Sequence, residues 1–277
     1  MTLAPRLAAE AISLGYDGRT IVDALDLAVP DGSFTVIVGA NGSGKSTLLR
    51  GLARLLKPEG GRVLLDGRAI HSYPPKEAAR RIGLLPQSQA APDGIAVIDL
   101  VARGRYPHQS LLRQWSPADE EAVRLALELT DTAALAGSLF DELSGGQRQR
   151  VWLAMALAQQ TDILLLDEPT TFLDVSHQLD VLDLCARLRV ERGHTMVAVL
   201  HDLSLAARYA THLVAMKGGA VVAAGPPSEI VTPEIVEQVF GLPCRVITDP
   251  ESGTPLVVPR HRIIAPPSRP TDSEGEL

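Results

Sequence analysis

The sequence contains few cysteines and few aromatic residues, and it has no long apolar run. Its two cysteines, Cys185 and Cys244, have neither the spacing of a metal site nor the number of a disulfide framework, so we expect buried thiols in a reducing compartment. No apolar run approaches the ~18 residues that a membrane-spanning helix needs. The first residues also lack the charged and then apolar segments of a secretory signal. We therefore expect a chain on the cytoplasmic side that reaches a membrane only through a partner.

An excess of positive charge is missing as well. The chain has 26 lysines and arginines against 33 aspartates and glutamates, which is a formal net charge of −7. This balance disfavours a broad nucleic-acid-binding face, although it leaves room for a local basic patch. With 277 residues, of which 45% are hydrophobic, the chain has enough apolar material for one large domain or two small ones.

A glycine-rich stretch follows a short apolar run at residues 34–38 and precedes an amphipathic pattern that begins at residue 48. A strand, a glycine-rich turn and a helix are the context of a phosphate-binding loop. The glycines allow backbone N–H groups to face an anion, and the helix adds its positive N-terminal end. Lys45 can then reach the β- and γ-phosphates of a nucleotide, and Ser46 can offer its hydroxyl to Mg²⁺. The predicted nucleotide-binding residues of this loop are Gly39, Ala40, Asn41, Gly42, Ser43, Gly44, Lys45, Ser46 and Thr47.

Apolar runs that alternate with helical patterns predict an α/β core around this loop. Strand-like runs lie at residues 163–166 and 196–200, on either side of a helical stretch at 176–190. Such alternation implies a mostly parallel sheet that is covered on both faces. Residues 7–29 instead alternate with period two, which predicts an N-terminal antiparallel β subdomain. The remaining strand predictions are residues 61–67 and 82–87 and a hairpin around 217–220.

Two segments differ in character from this core. From about residue 88 to 160, alanine, leucine, glutamate and arginine recur with helical periodicity, which predicts a helical subdomain inserted in the α/β core. Within it, residues 93–117 are loop-rich and polar, and unless the segment has a function we expect a solvated connector there. We expect residues 1–250 to form one nucleotide-binding domain. Residues 251–277 are predicted to form a C-terminal tail whose last dozen residues are disordered.

Two further motifs carry chemistry that fits a bound nucleotide. Asp167 and Glu168 follow the apolar run at 164–166, and side chains alternate along a strand, so the two acids need not point the same way. Asp167 can hold Mg²⁺ while Glu168 faces an attacking water. The Ser-Gly-Gly-Gln stretch at 144–147 stands immediately before a helical run, and a helix N-terminus of this kind is a second candidate anion site. A second anion site needs a second phosphate, or the same phosphate contacted from another subunit.

The Leu-Ser-Gly-Gly-Gln sequence at 143–147, placed between a phosphate loop and an Asp-Glu-Pro strand end, resembles the ATP-binding-cassette (ABC) ATPases. The resemblance covers about residues 5–250 and implies a P-loop NTPase core with ATP and Mg²⁺ as cofactors. It implies that Glu168 is the catalytic carboxylate and that His201 contacts the γ-phosphate. It also implies that Gln87 is the loop glutamine that senses Mg²⁺ and water. Nearby Gln89 is the alternative for that role.

The same resemblance assigns roles at further positions. It implies that Tyr16 stacks on adenine, although its position alone equally fits a tyrosine that anchors its own loop. Asp174, in a Thr-Phe-Leu-Asp turn where the family most often has Ser-Ala-Leu-Asp, matches the aspartate that crosses the dimer. The implied catalytic residues are Glu168, His201, Gln87 and Asp174, the implied metal ligands are Ser46, Gln87 and Asp167, and the implied signature residues are Ser144, Gly145, Gly146 and Gln147.

The family mechanism that this resemblance implies needs partners. Two copies would dimerise head to tail around two ATP molecules, each held by Lys45 of one copy and by Ser144 and Gly146 of the other. A membrane permease would dock near residues 88–117, and a periplasmic or lipoprotein substrate-binding protein would complete the complex. No nucleic acid is expected as a partner.

Three branches of the family compete at this point: a transporter subunit, a soluble ATPase of DNA repair or translation, and a regulator without transport. The compact insertion lacks the heptads and cysteine clusters of repair ATPases, and the chain has one cassette where translation-type members usually have two. The Arg-Gly-Arg-Tyr-Pro-His stretch at 103–108 and the sequence at 170–178 resemble cassettes of bacterial iron–siderophore importers. Cassettes for vitamin B12, haem and other metal chelates share much of this pattern, so the cargo stays open.

Overall fold

The computed structural model of the protein describes residues 4–87, 90–110, 114–171 and 173–260. The strands are β1 (Leu7–Tyr16), β2 (Arg19–Val29), β3 (Phe34–Gly39), β4 (Gly60–Leu65), β5 (Arg68–Ala69), β6 (Ile82–Leu85), β7 (Ile163–Asp167), β8 (Thr195–Val199), β9 (His212–Lys217), β10 (Ala220–Gly225), β11 (Cys244–Thr248) and β12 (Pro255–Pro259). The α-helices are α1 (Lys45–Leu52), α2 (Pro75–Ala79), α3 (Val97–Ala102), α4 (Pro117–Leu129), α5 (Gly145–Ala158), α6 (Val175–Arg192), α7 (Leu203–Tyr209), α8 (Pro227–Ile230) and α9 (Pro233–Phe240). Within the described ranges, no helix combines the length and apolarity that a membrane span requires.

A six-stranded sheet in the order β10-β9-β3-β8-β7-β6 forms the centre of the molecule. Its neighbouring strands are parallel except for the hairpin pair β9 and β10. Every residue of β3, β7 and β8 is buried. Strands that are covered on both faces read as continuous apolar runs, which is why the sequence shows no alternation there. The predicted mostly parallel α/β core is confirmed.

The parallel register brings the motif residues to one edge of this sheet. Val199 of β8 pairs with Ile37 of β3 on one side and with Asp167 of β7 on the other. The phosphate loop, the acid pair and His201 each lie at or just beyond the carboxyl end of one of these three strands. Because parallel strands end at the same edge, segments far apart in sequence converge there, as ligand sites do in α/β sheets.

The N-terminal strands form a second, antiparallel sheet in the order β2-β1-β4-β5. Its buried face packs on α1 in a second apolar cluster that includes Leu14, Leu48 and Leu52. Gly51 of α1 lies so close to Leu14 that a Cβ there would be 2.6 Å from a Leu14 methyl carbon. The predicted N-terminal antiparallel subdomain is therefore present, and it packs closely against the helix that follows the phosphate loop.

The expectation of a solvated connector at residues 93–117 is wrong. This segment contains α3 and a 3₁₀ turn at Arg103–His108, and the apolar face of α3 packs in the main core. Arg105 is only 3% exposed. Its guanidinium donates to Asp119 Oδ1 at 2.8 Å and to the carbonyl of Ala158 at 2.6 Å. One of the charges that made the segment look solvated, that of Arg105, is paired inside the helical region.

The chain after α9 departs from the predicted boundary at residue 250. Strands β11 and β12 form an antiparallel hairpin in which Val246 lies opposite Val257, so residue 250 falls inside the hairpin. Both valines pack against the main core. Strand β12 forms because its apolar residues find a partner strand several residues earlier, which a search for local periodicity does not reveal. The last dozen residues, for which we expect disorder, lie outside the described residues.

Replacing Arg105 by alanine should lower the free energy of unfolding by about 3–5 kcal/mol, because it leaves the Asp119 carboxylate buried without its positive partner. Urea denaturation followed by circular dichroism measures this change. The matched control is Arg103→Ala, which removes an exposed arginine two residues earlier and should stay within about 0.5 kcal/mol of the parent protein. Equal effects of the two substitutions would contradict a structural role for the buried pair.

Candidate functional site

The loop between β3 and α1 requires glycine at its close contacts. A Cβ at Gly39 would lie 2.3 Å from the carbonyl oxygen of Met216 and 2.7 Å from Ser43 Oγ. Gly44 has φ +97° and stands at the N-terminus of α1, a left-handed conformation that other residues adopt with strain. The loop therefore curls tightly over the N-terminus of α1, where unpaired N–H groups and the helix dipole favour an anion.

Lys45 lies across this loop with its ammonium group directed at carbonyl oxygens. Its Nζ donates to Gly39 O at 2.9 Å and to Ala40 O at 3.0 Å, and the residue is 6% exposed. Burial lowers the pKa of Lys45, and the charges of Glu168 and Asp167 offset part of that effect. An ammonium group held beside a glycine-rich loop has the charge and the hydrogen-bond donors that can bind a phosphate.

Ser46 and Asp167 contact each other across the sheet edge. Ser46 Oγ donates to Asp167 Oδ1 at 2.9 Å, and the Asp167 residue is buried at the end of β7. Burial raises the pKa of Asp167, while the bond from Ser46 and the charge of Arg50 act in the opposite direction. A hydroxyl and a carboxylate side by side form a hard oxygen donor set.

Glu168 has an unusual backbone and a firmly held side chain. Its φ of +55° lies in the left-handed region, which is uncommon for a residue with a Cβ. One carboxylate oxygen is 2.8 Å from His201 Nε2, and the other accepts a hydrogen bond from Thr171 Oγ1 at 3.0 Å. Burial acts to raise the pKa of Glu168, but hydrogen bonds from His201, Thr171 and Gln87 outweigh it, so the pKa lies below its ordinary value.

Lys45, Ser46, Glu168 and His201 line one cleft of about 620 Å³, whereas the predicted residues Gly39, Ala40 and Asp167 lie outside its lining. It contains the predicted residues Tyr16, Asn41, Gly42, Ser43, Gly44, Lys45, Ser46, Thr47, Gln87, Glu168 and His201. Sequence reasoning missed Arg19 and Ile21 of β2, which also line it. Arg19 pairs with Tyr16 across the β1–β2 turn, so the hairpin register was the signal that could have found it. Thr171 was missed too, although it stands only three residues after Glu168.

The signature residues are built as a helix start. Ser144 caps α5: its Oγ accepts from the Gln147 N–H at 3.3 Å, and Gln147 Oε1 accepts from the Ser144 N–H at 2.9 Å. The remaining N–H groups of the first turn, including those of Gly145 and Gly146, have no partner within the helix. Among the described residues that line the cleft around Lys45, none belongs to this turn. The structure thus does not bring residues 144–147 together with the phosphate loop of the same chain.

Asp174 also lies apart from the cleft lining, at the N-terminus of α6. One of its oxygens, Oδ1, accepts from the backbone N–H of His177 at 3.0 Å, from Ser176 Oγ at 3.0 Å, and contacts His177 Nδ1 at 2.7 Å. The backbone bond from His177, followed by its side chain and that of Ser176, lowers the pKa of Asp174. The carboxylate is 66% exposed, so it is ionised and available to another molecule.

Comparison with known proteins shows which family has this architecture. The sequence model described as "ABC transporter" matches residues 22–171, which is more than half of the chain and spans the phosphate loop, the signature and the acid pair. This chain belongs to the ABC transporter family. The ABC cassette described here is an ATPase: its domain binds ATP, and its α/β fold is that of solved cassettes.

Individual relatives extend over almost the whole cassette. The chain is 56% identical to the ferric enterobactin transport ATP-binding protein FepC of Escherichia coli K12, over 93% of this chain and 95% of FepC. It is 44% identical to the iron(3+)-hydroxamate import ATP-binding protein FhuC of Bacillus subtilis 168, over 90% of this chain and 93% of FhuC. The dimeric structure of MJ0796, a bacterial ABC transporter cassette, superposes with a TM-score of 0.70 at 26% identity, covering 79% of this chain and 98% of that one.

Replacing Thr171 by valine should raise the pKa of Glu168, because the hydroxyl now stabilises the charged carboxylate and the methyl group cannot. A ¹³C NMR titration of the Glu168 side chain measures this pKa directly. The charged form of Glu168 is then lost at a higher pH as the solution is acidified. Thr171→Ser keeps the donor and should leave the pKa close to that of the parent protein. A titration curve unchanged in Thr171→Val would refute the contribution of this hydrogen bond.

Proposed function

We propose that this cassette is the ATP-hydrolysing subunit of a bacterial importer for ferric siderophores, bound at the cytoplasmic face of the membrane. The observation that carries the proposal is the 56% identity to FepC over nearly the full length of both chains. FhuC, named for another ferric chelate, aligns over a similar share of the chain. Both relatives are named for Fe³⁺ held by an organic chelator, and that cargo class is the one we assign to this chain.

The cleft supports a nucleotide bound by its phosphates at the N-terminus of α1. Lys45 changes its hydrogen-bond partners from the carbonyls of Gly39 and Ala40 to the β- and γ-phosphates. Tyr16, which is exposed at the rim of the cleft, stacks on the adenine ring. The loop N–H groups from Gly42 to Thr47 surround the phosphates, which fits the anion-favouring geometry of the loop.

The oxygen donors beside Lys45 fit Mg²⁺. Ser46 and Asp167 form a hard oxygen pair, and Gln87 lines the same cleft. The described part of the chain holds no group of three or more histidine, cysteine, aspartate or glutamate residues that could hold a metal alone. The pair of Ser46 and Asp167 suits Mg²⁺, because Mg²⁺ uses one or two protein ligands together with substrate phosphates. When bound, the ion neutralises charge that develops on the phosphates.

Glu168 is the residue we assign to the attacking water. Its low pKa keeps the carboxylate ionised, so that it accepts a hydrogen bond from the water and orients it toward the γ-phosphate. His201 holds the carboxylate from one side at 2.8 Å and faces the cleft, where it also contacts the γ-phosphate. A carboxylate that is already held in place lowers the entropic cost of reaching the reactive geometry.

A second copy of the cassette completes the site. Ser144, Gly145, Gly146 and Gln147 form a helix start outside the cleft of their own chain, and Asp174 extends toward solvent. Each γ-phosphate then joins the positive N-termini of two helices that come from different copies. The dimeric MJ0796 cassette, to which this chain is similar, supports a dimer, and the position of the Ser144 helix start outside the cleft of its own chain supports a head-to-tail arrangement. Hydrolysis removes the shared ligand and favours the open state.

The helical region offers the surface for a permease. Ile98, Tyr106 and Trp115 are exposed there although they are large and apolar. A groove lined by Ile98, Trp115 and Leu127 runs along this face. A cluster of exposed apolar side chains marks an interaction site more often than a solvated surface. We place the permease contact within residues 88–117 and expect a periplasmic or lipoprotein binding protein to deliver the cargo to that permease.

Replacing Glu168 by glutamine should reduce ATP turnover by at least about a hundredfold while ATP binding stays intact, because the amide keeps the shape but cannot serve as the charged acceptor. Because the Glu168→Gln protein does not hydrolyse the bound ATP, its dimer should accumulate, which multi-angle light scattering detects. Glu121→Gln, a matched change at an exposed position of α4, should retain full turnover and the parent dimer equilibrium. A fully active Glu168→Gln protein would remove the catalytic assignment.

The cargo assignment is tested with the cassette purified together with its membrane partner and reconstituted in liposomes. ATP supplied on the side of the membrane where the cassette is bound should drive transport of a ferric catecholate or hydroxamate chelate. Haem and cobalamin should not be transported. Selective transport of haem or cobalamin would contradict the assignment of the cargo but not the assignment of the protein to an importer. ATP hydrolysis stimulated by DNA, with no membrane partner, would refute the importer.

A further inference from the structure

The side chain of His177 occupies the space that a side chain at position 146 would need. A Cβ built on Gly146 would lie 2.3 Å from His177 Cδ2 and 2.8 Å from its Cγ and Nε2. The first turn of α5 therefore packs its backbone directly against the imidazole ring of a residue in the first turn of α6. Any larger residue at 146 would displace the ring.

The same ring holds the carboxylate of Asp174. His177 Nδ1 is 2.7 Å from Asp174 Oδ1, and the backbone N–H of His177 donates to that oxygen at 3.0 Å. His177 thus connects two segments, one at the N-terminus of α5 and the other at the N-terminus of α6. The two segments are the Ser144 turn, residues 144–147, and the Asp174 turn, residues 173–177.

We propose that His177 is a positioning residue that holds the Asp174 turn against the Ser144 turn, so that both meet the second copy as one rigid surface. The proposal rests on the proposed function, because both turns are assigned there to the dimer interface. An exposed pair such as His177 and Asp174 contributes little to the stability of a single chain. Its value lies in orientation, since surfaces that are ordered in advance lose less entropy on association.

The test measures dimerisation and ATP binding separately in the full chain carrying Glu168→Gln. His177→Ala should weaken the ATP-dependent dimer roughly tenfold, while the affinity of the single chain for a fluorescent ATP analogue changes by less than about twofold. That difference follows because Lys45 and Tyr16 are not altered, whereas the partner-facing turns lose their connection. In the chain with an intact Glu168, kcat should fall more than KM rises.

Two further variants separate the contacts of the ring. His177→Asn keeps a donor close to the position of Nδ1 but removes the ring from Gly146. His177→Phe keeps a ring over Gly146 and the backbone bond to Asp174 but removes the contact of the ring nitrogen with Asp174. If His177 acts as a bridge, each variant should weaken the dimer, because each breaks one of its two ends. Ser252→Ala is the matched control: it removes a comparable serine–aspartate hydrogen bond, the one from Ser252 Oγ to Asp249 Oδ2, which lies outside both turns, and it should leave the dimer within about twofold.

The outcomes distinguish this proposal from the proposed function. A parent chain that forms no dimer with ATP would overturn both. A normal ATP-dependent dimer in His177→Ala, at an unchanged thermal midpoint, would overturn the role of His177 alone. A third outcome would also overturn this role. If only His177→Ala lowers the thermal midpoint, and His177→Asn and His177→Phe both form the dimer normally, the residue serves the packing of the single chain.

Discussion

Parallel hydrogen bonding between β3, β8 and β7 is the constraint on which the site depends. Val199 pairs with Ile37 and with Asp167, and this register places the ends of three strands at one level. A shift of one residue in β7 would exchange Asp167 with Glu168 and turn each to the opposite face. Close packing on both faces of these strands specifies the register, because a slip of one residue would move every side chain of the strand to the face where it does not fit.

The polar groups gathered at this edge satisfy one another in pairs. Lys45 donates to loop carbonyls, Ser46 bonds Asp167, and Glu168 is held by His201 and Thr171. In the proposed complex with ATP, the phosphates replace several of these contacts by charge-assisted ones, so the same groups are paired with and without the ligand. The left-handed backbone of Glu168 is maintained against its local preference by these surrounding contacts.

The proposed mechanism depends on two helix N-termini that lie apart within one chain. The N-terminus of α1 lies in the cleft, whereas the N-terminus of α5 starts outside it. In the proposed dimer, the nucleotide is the ligand that these ends share, so binding and hydrolysis change an association equilibrium as well as a chemical bond. A residue such as His177 matters in this arrangement because the surface that meets the nucleotide must be aligned before it arrives.

The sequence by itself determined the phosphate loop, the acid pair, the signature and the α/β order, because each depends on residues that are adjacent or regularly spaced along the chain. Tertiary structure decided what had no local signature. The ion pair of Arg105 with Asp119 made a polar segment part of the packed helical region, and the β11–β12 hairpin crossed a boundary placed at residue 250. The contact of His177 with Gly146 joins positions that no periodicity relates. Such contacts follow from how whole elements pack, and packing is settled only when the chain has folded.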